Sequence, residues 1–350
     1  MQRLKLQRLK IIVVVFLALV TCQTPQADKQ VQHTDEQLTR YVNPFIGTDG
    51  MGNTYPGATT PFGMVQLSPD IGIPGWDRIP GYFYPDSLIT GFSHTHLSGT
   101  GAGDLYDILV MPTNSRFNER IKENKGKPFS YFSHQSEKAT AGYYAVDLSS
   151  YGIRADTPRV GVQRYTFPKD DTSKITVDLG YSINWDKPTE TYMKVVDDST
   201  LEGYRYSTGW ARDQKVYFVM KFSKPFAKSA LISEKIASKS QIGRAELLYA
   251  TAEGEQIVVK TALSMHSLSG AYRNMQEEAP HFAFDTYREA ARALWEKQLQ
   301  KIVVTSDDDE QKTIFYTMLY QSMVAPNLYS DVKEPVRYDT FSLWDTFRAA

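Results

Sequence analysis

The chain has 350 residues, 41% hydrophobic, with 39 Lys+Arg against 40 Asp+Glu and one Cys. That suits one large or two ordinary globular domains and argues against disorder as the main state, an intrachain disulfide framework or a Cys-rich zinc site. Removing residues 1–21 deletes Arg3, Lys5, Arg8 and Lys10 and no acid, leaving 35 basic against 40 acidic groups, too little basic density for a nucleic-acid groove.

The four cations precede ten successive apolar residues, 11–20, in the manner of a secretory signal's n- and h-regions. Ten helical residues rise only about 15 Å, roughly half the hydrocarbon thickness, which disfavours a permanent span. Residues 1–21 are therefore read as a signal peptide. Leu19-Val20-Thr21-Cys22 puts the single Cys where a bacterial lipoprotein carries its acylated one, so Cys22 is the expected lipidation site and membrane anchor. Thr21 is less usual there than Gly or Ala, and the alternative is a small residue beside an ordinary cleavage site. Either way the protein reads as exported, with the anchor to the bacterial periplasm or outer-membrane surface. Residues 22–39, polar and aperiodic, read as a tether.

Residues 40–281 read as a β-sandwich domain, built of short strands broken by Gly, Pro and Asp/Asn clusters. Lys215-Val216-Tyr217-Phe218-Val219-Met220-Lys221-Phe222, Glu202-Gly203-Tyr204-Arg205-Tyr206 and Gln256-Ile257-Val258-Val259-Lys260 are β-branched or aromatic runs of strand length. Glu253-Gly254 reads as a hairpin turn between residues 247–249 and 257–259. After His281 the period becomes helical. Residues 285–300 place Tyr287, Ala291, Leu294 or Trp295, and Gln298 or Leu299 on one face, giving a linker helix within 282–305. A further helix begins after Ser306, which can cap it, with Asp307, Asp308 and Asp309 at the positive end of its dipole and Phe315, Leu319 and Met323 at i, i+4, i+8. The acidic run reads as capping rather than a metal loop, whose acids are spaced around a turn. Strands followed by helices imply a β domain and then an α domain. Residues 306–350 are too few to close a helical core, so the chain is expected to be an N-terminal portion of a longer protein.

Residues 41–112 are dense in glycine, which brings backbone close to another strand or to a ligand. Within them His94 and His96 alternate; on a strand they would share a face, as sugar contacts, hydrogen-bonded structural residues or two metal ligands lacking a third. No nucleophile elbow surrounds Ser93 or Ser98. Trp76, in Pro74-Gly75-Trp76-Asp77-Arg78, sits in a Gly/Pro loop, where an indole either stacks on a sugar's C–H face or plugs the end of a sandwich. Asp345 and Arg348, at i, i+3 in Leu343-Trp344-Asp345-Thr346-Phe347-Arg348, form a helix ion pair or offer hydroxyl contacts.

Four segments together resemble glycoside hydrolase family 92, the exo-acting α-mannosidases. They are Tyr41-Val42-Asn43-Pro44-Phe45-Ile46-Gly47-Thr48, then Pro56-Gly57-Ala58 with Pro61-Phe62-Gly63-Met64, then Gly91-Phe92-Ser93-His94-Thr95-His96-Leu97-Ser98-Gly99-Thr100-Gly101, and the closing Leu343-Trp344-Asp345-Thr346-Phe347-Arg348. The resemblance implies an N-terminal β-sandwich, then the first helices of an (α/α)6 barrel, a calcium ion holding the mannose hydroxyls, and inversion at the anomeric carbon. It places the catalytic acid and base, and the calcium ligands, beyond residue 350. Trp76 matches the family's loop Trp and Asp345 the carboxylate of its Trp-Asp motif, while Ile79-Pro80-Gly81 stands where a Cys-Ser-Gly is expected. The candidate contacts to a mannose-containing glycan are thus Trp76, His94, Asp345 and Arg348. A non-catalytic glycan-binding lipoprotein, and a hydrolase of α-glucosides on a similar sandwich and helical barrel, are the alternatives.

Overall fold

The computed structural model describes residues 36–117, 127–157 and 161–339, without the side chains of 153–157. The signal segment, Cys22, Asp345 and Arg348 lie outside the described residues.

Two antiparallel sheets dominate. The first runs β1 (Ala58–Thr59), β2 (Gln66–Asp70), β4 (Gly91–Ser93), β5 (Leu109–Thr113), β11 (Asp170–Asp178), β16 (Lys239–Thr251), β15 (Lys228–Ile236). The second runs β12 (Lys187–Asp197), β13 (Thr200–Thr208), β14 (Gln214–Phe222), β17 (Glu255–Ser264), β10 (Val162–Phe167), β9 (Ile153–Thr157), β8 (Tyr143–Leu148), β7 (Lys138–Thr140). A minor pair joins β3 (Leu88–Ile89) to β6 (Ser130–Tyr131). Inner faces of both sheets make one core: Leu67, Phe92, Val110, Ile175, Val177 and Leu247 meet Val216, Phe218, Met220, Ile257 and Val259. Period-2 alternation explains this, since Val216, Phe218, Met220 and Phe222 share a face of β14.

Opposite them on β14, Val219 joins Val258 and Ala262 under helix α1 (Leu268–Glu278) and the start of α2 (Phe284–Leu299), against Ala271, Met275, Phe284 and Tyr287. Strand β17 is consequently buried on both faces from Ile257 onward. A second core gathers Leu38, Tyr41 and Tyr55 with Trp295 and Leu299 of α2 and Tyr316 and Tyr320 of α3 (Asp309–Gln321).

The structure corrects four local expectations. Glu253-Gly254 is a turn, with Gly254 at φ 71°, but not a hairpin: β16 pairs with β11 and β15, whereas β17 pairs with β14 and β10. The turn carries the chain from one sheet to the other, pinned by Gly254 N donating to Phe167 O at 2.9 Å. The residues expected to end the tether are docked, since Glu296 accepts from Leu38 N and Thr39 N at 2.9 and 3.0 Å. The cap of α3 is Asp308, accepting from Glu310 N and Gln311 N at 2.9 and 3.1 Å, two residues later than Ser306 would place it. The fully buried face of α3 is Tyr316, Thr317 and Tyr320; Phe315, Leu319 and Met323 pack half-buried beside it.

Candidate functional site: an indole-bearing loop cluster

Trp76 opens a single 3-10 turn, Trp76–Arg78, and is 52% exposed. The turn is fastened from three sides. Arg78 pairs through two bonds with Asp86, at 2.7 and 2.9 Å. Asn184 accepts from Gly75 N at 3.0 Å and donates to Arg78 O at 3.2 Å. Tyr106 OH donates to Ile79 O, inside the Ile79-Pro80-Gly81 segment. Gly101 lies against the indole, with a built Cβ 3.4 Å from Trp76 Cη2.

Beneath the loops sits a buried charge cluster that reading the sequence did not single out. Arg205, at an inward position of β13 and 0% exposed, donates to Asp107 at 2.7 Å and to Asp186, and to the carbonyls of Leu179 and Tyr181 at 3.0 and 2.9 Å. Burial would lower its pKa, but the two carboxylates outweigh that and raise it. Burial pushes the Asp186 carboxyl up to about 7, against the pull of Arg205; burial raises Asp104 as well. One cation facing two carboxylates leaves the cluster one proton short of neutral. Asp107 also accepts from Thr95 Oγ1 at 2.7 Å, holding a segment in which Leu105, Tyr106 and Ile108 have φ of 80°, 63° and 59°. Such non-glycine left-handed residues cost about 1 kcal/mol or more each and concentrate at functional sites.

Of the three roles open to the histidines, the structure gives them the hydrogen-bonded structural one, against the expectation of His94 as a sugar contact. His94 is 0% exposed, its Nδ1 donating to Ile108 O at 2.7 Å and its ring against Gly161; burial lowers its pKa to about 4. A sugar hydroxyl could reach it only by opening the core, so His94 is a structural residue, not a surface contact. His96 donates from Nδ1 to Gln66 O at 2.7 Å, while Ser93 Oγ and Asp70 Oδ1 both approach its Nε2, at 3.1 and 3.3 Å. A nucleophile triad needs its serine and acid on opposite ring nitrogens, so the geometry excludes one here. Among the described residues no three His, Cys, Asp or Glu side chains gather as a metal site would require.

Residues 327–339 return the chain to the sandwich: Leu328 N donates to Phe62 O at 2.9 Å, and Asn327 donates to Gly63 O at 3.2 Å. Between this segment and the sheets lies a cavity of about 230 Å³ lined by Gln66, Thr95, Asp107, Gln214 and Asp339. Burial pushes the Asp339 carboxyl up to about 6.

Two antiparallel sheets that run into helices, with an exposed indole on a loop braced by the Arg78–Asp86 pair, define a β-then-α multidomain class with a candidate loop-borne site. Residues 41–264 match the glycosyl hydrolase family 92 N-terminal domain and residues 270–350 the family's catalytic domain. The chain belongs to glycosyl hydrolase family 92. It is similar to a family GH92 α-mannosidase from Bacteroides thetaiotaomicron at 35% identity and a TM-score of 0.81, covering 89% of this chain and 46% of that one. A GH92 inverting mannosidase from the same organism is 26% identical with a TM-score of 0.72, over 91% and 46% of the two chains. An uncharacterized secreted glycosidase of Arthroderma benhamiae is 25% identical, over 89% and 45%. The chain thus spans slightly less than half the length of these relatives.

Proposed function

We propose that the protein to which these residues belong removes terminal α-linked mannose from glycans by inverting hydrolysis, with this chain supplying the sandwich side of the sugar site. The observation that carries this reading is the likeness, through sandwich and first helices, to an α-mannosidase that has also been solved with mannoimidazole bound. In this reading Trp76 covers the apolar face of the terminal mannose while Asp345 and Arg348 meet its hydroxyls. Inversion requires an acid and a base about 6.5–9.5 Å apart with water between them; both belong to segments beyond residue 350. Calcium belongs to the same proposal and would fix the sugar hydroxyls when bound. The described residues supply no three-carboxylate or histidine cluster for it; it is the family resemblance that assigns its ligands to segments beyond residue 350. The full-length protein is expected to release mannose from an α-linked mannobiose with the β-anomer appearing first, followed by NMR. Initial α-mannose would overturn inversion, and no release would overturn the mannosidase reading.

Export and lipid anchoring at Cys22 complete the proposal: the signal-like residues 1–21 and a relative described as secreted support export, and the single Cys just after that segment supports the anchor. Among the described residues no helix is long and apolar enough to cross a membrane. Cys22→Ser is expected to move the protein from the membrane to the soluble fraction; unchanged membrane association would count against acylation.

A further inference from the structure

Trp76, Trp185 and Trp210 stand 52%, 42% and 62% exposed on one loop cluster. Trp295 shows the ordinary alternative: it is 0% exposed, with its indole N–H donating to Thr59 O at 2.7 Å. Tryptophan is highly buried on average, so a grouped exposure of indoles marks a surface with a use. Trp185 and Trp210 stack with ring centroids 6.0 Å apart and planes 25° from parallel. Both are held firmly. Trp185 N donates to Gly103 O at 2.9 Å. Beside Trp210, Ala211 N donates to Asp104 at 3.1 Å, and the same carboxylate accepts from Gln214 at 2.6 Å. A Cβ on Gly209 would fall 1.7 Å from Asp104 Oδ1, so only glycine lets the turn that presents Trp210 close onto its brace.

We propose that the Trp185–Trp210 pair is an outer sugar platform, receiving mannose units beyond the terminal disaccharide whose end unit is held at Trp76. This rests on the α-mannosidase reading and adds to it the length of glycan engaged. Continuity supports it, because Gly75 N bonds Asn184 Oδ1 at 3.0 Å, so Trp76 and Trp185 each directly follow one member of a bonded pair. The chemistry suits a sugar: Lys187, Arg212 and Asp213, close to the pair in sequence, are exposed, and a sugar offers C–H faces to indoles and hydroxyls to charged side chains.

In the full-length protein, the ratio of kcat/KM on a linear α-mannotetraose to that on α-mannobiose is expected to fall about tenfold in Trp210→Ala and in Trp185→Ala, through lost stacking. Trp210→Tyr, which keeps an aromatic face and guards against misfolding of the alanine variants, is expected to retain most of the ratio. A wild-type ratio in the alanine variants overturns the platform. Equal losses on both substrates with a lowered Tm also overturn it, by showing that the pair packs against further chain. If the wild-type protein turns over no α-mannoside, the mannosidase reading fails and the platform with it; turnover with an unchanged ratio defeats the platform alone.

Discussion

Arg205→Met is expected to cost about 3–5 kcal/mol of folding stability, the usual consequence of removing one partner from a buried ion pair. Methionine fills much of the same volume, so a cavity contributes little. The loss comes from Asp107 and Asp186, left as buried carboxylates, and from the Leu179 and Tyr181 carbonyls, left without their donor. The effect should also depend on pH. In the native protein Asp186 titrates at about 7, raised by burial against the pull of Arg205, while an unfolded aspartate titrates at about 3.9. The folded state therefore holds more protons between those values, and this group's contribution to stability falls as pH rises from about 4 to about 7. Without Arg205 the effect of burial on Asp186 is unopposed, so the variant should lose more at pH 8 than at pH 5. Urea unfolding at both values, compared at constant m, measures this. A loss under about 1 kcal/mol at pH 8 would mean that water or a rearranged side chain already compensates the cluster.

For Arg205 the sequence discloses the strand and the face but not the partners. Its strand was recognised from Tyr204 and Tyr206, yet the same alternation puts Arg205 on the inward face with Leu201. A cation at an inward position demands buried acids, and that signal was available without naming the acids: Asp107 and Asp186 are far away in sequence. Trp185 and Trp210 carried the mark that singled out Trp76, an indole among turn-forming residues, in Asn184-Trp185-Asp186 and Gly209-Trp210. Helix α1 was missed because its buried side is Gly270, Ala271, Asn274 and Met275, too small and polar to write an apolar stripe. Its one local sign is Ser267, which accepts from Gly270 N at 3.0 Å. Helix α2 was legible because Tyr287, Ala291, Trp295 and Leu299 repeat along one face. Sheet membership was not legible, because alternation reports which side of a strand is buried but not which strand lies next to it. The Glu253-Gly254 turn looks the same in sequence whether it closes a hairpin or a corner of the sandwich.

Asp345→Ala in the full-length protein is expected to lower kcat/KM on an α-linked mannobiose at least about tenfold, since removing a charged acceptor from a closed sugar site costs roughly 1.5–3 kcal/mol. Trp76 and Asp345 are distant in sequence, so both can serve one sugar only if the chain returns to the sandwich before residue 345. It does so: residues 327–339 are hydrogen-bonded to Phe62 and Gly63, and Asp339 lines the same cavity as Asp107. The described chain is thus back on the sandwich six residues before Asp345. The competing role is a helix ion pair with Arg348, worth only a few tenths of a kcal/mol if exposed. The two roles separate experimentally. A sugar contact predicts reduced kcat/KM with an unchanged Tm, and Asp345→Asn, which keeps an acceptor oxygen, should recover part of the loss. An ion pair predicts a slightly lower Tm with full activity per folded molecule, and that result would remove Asp345 from the site.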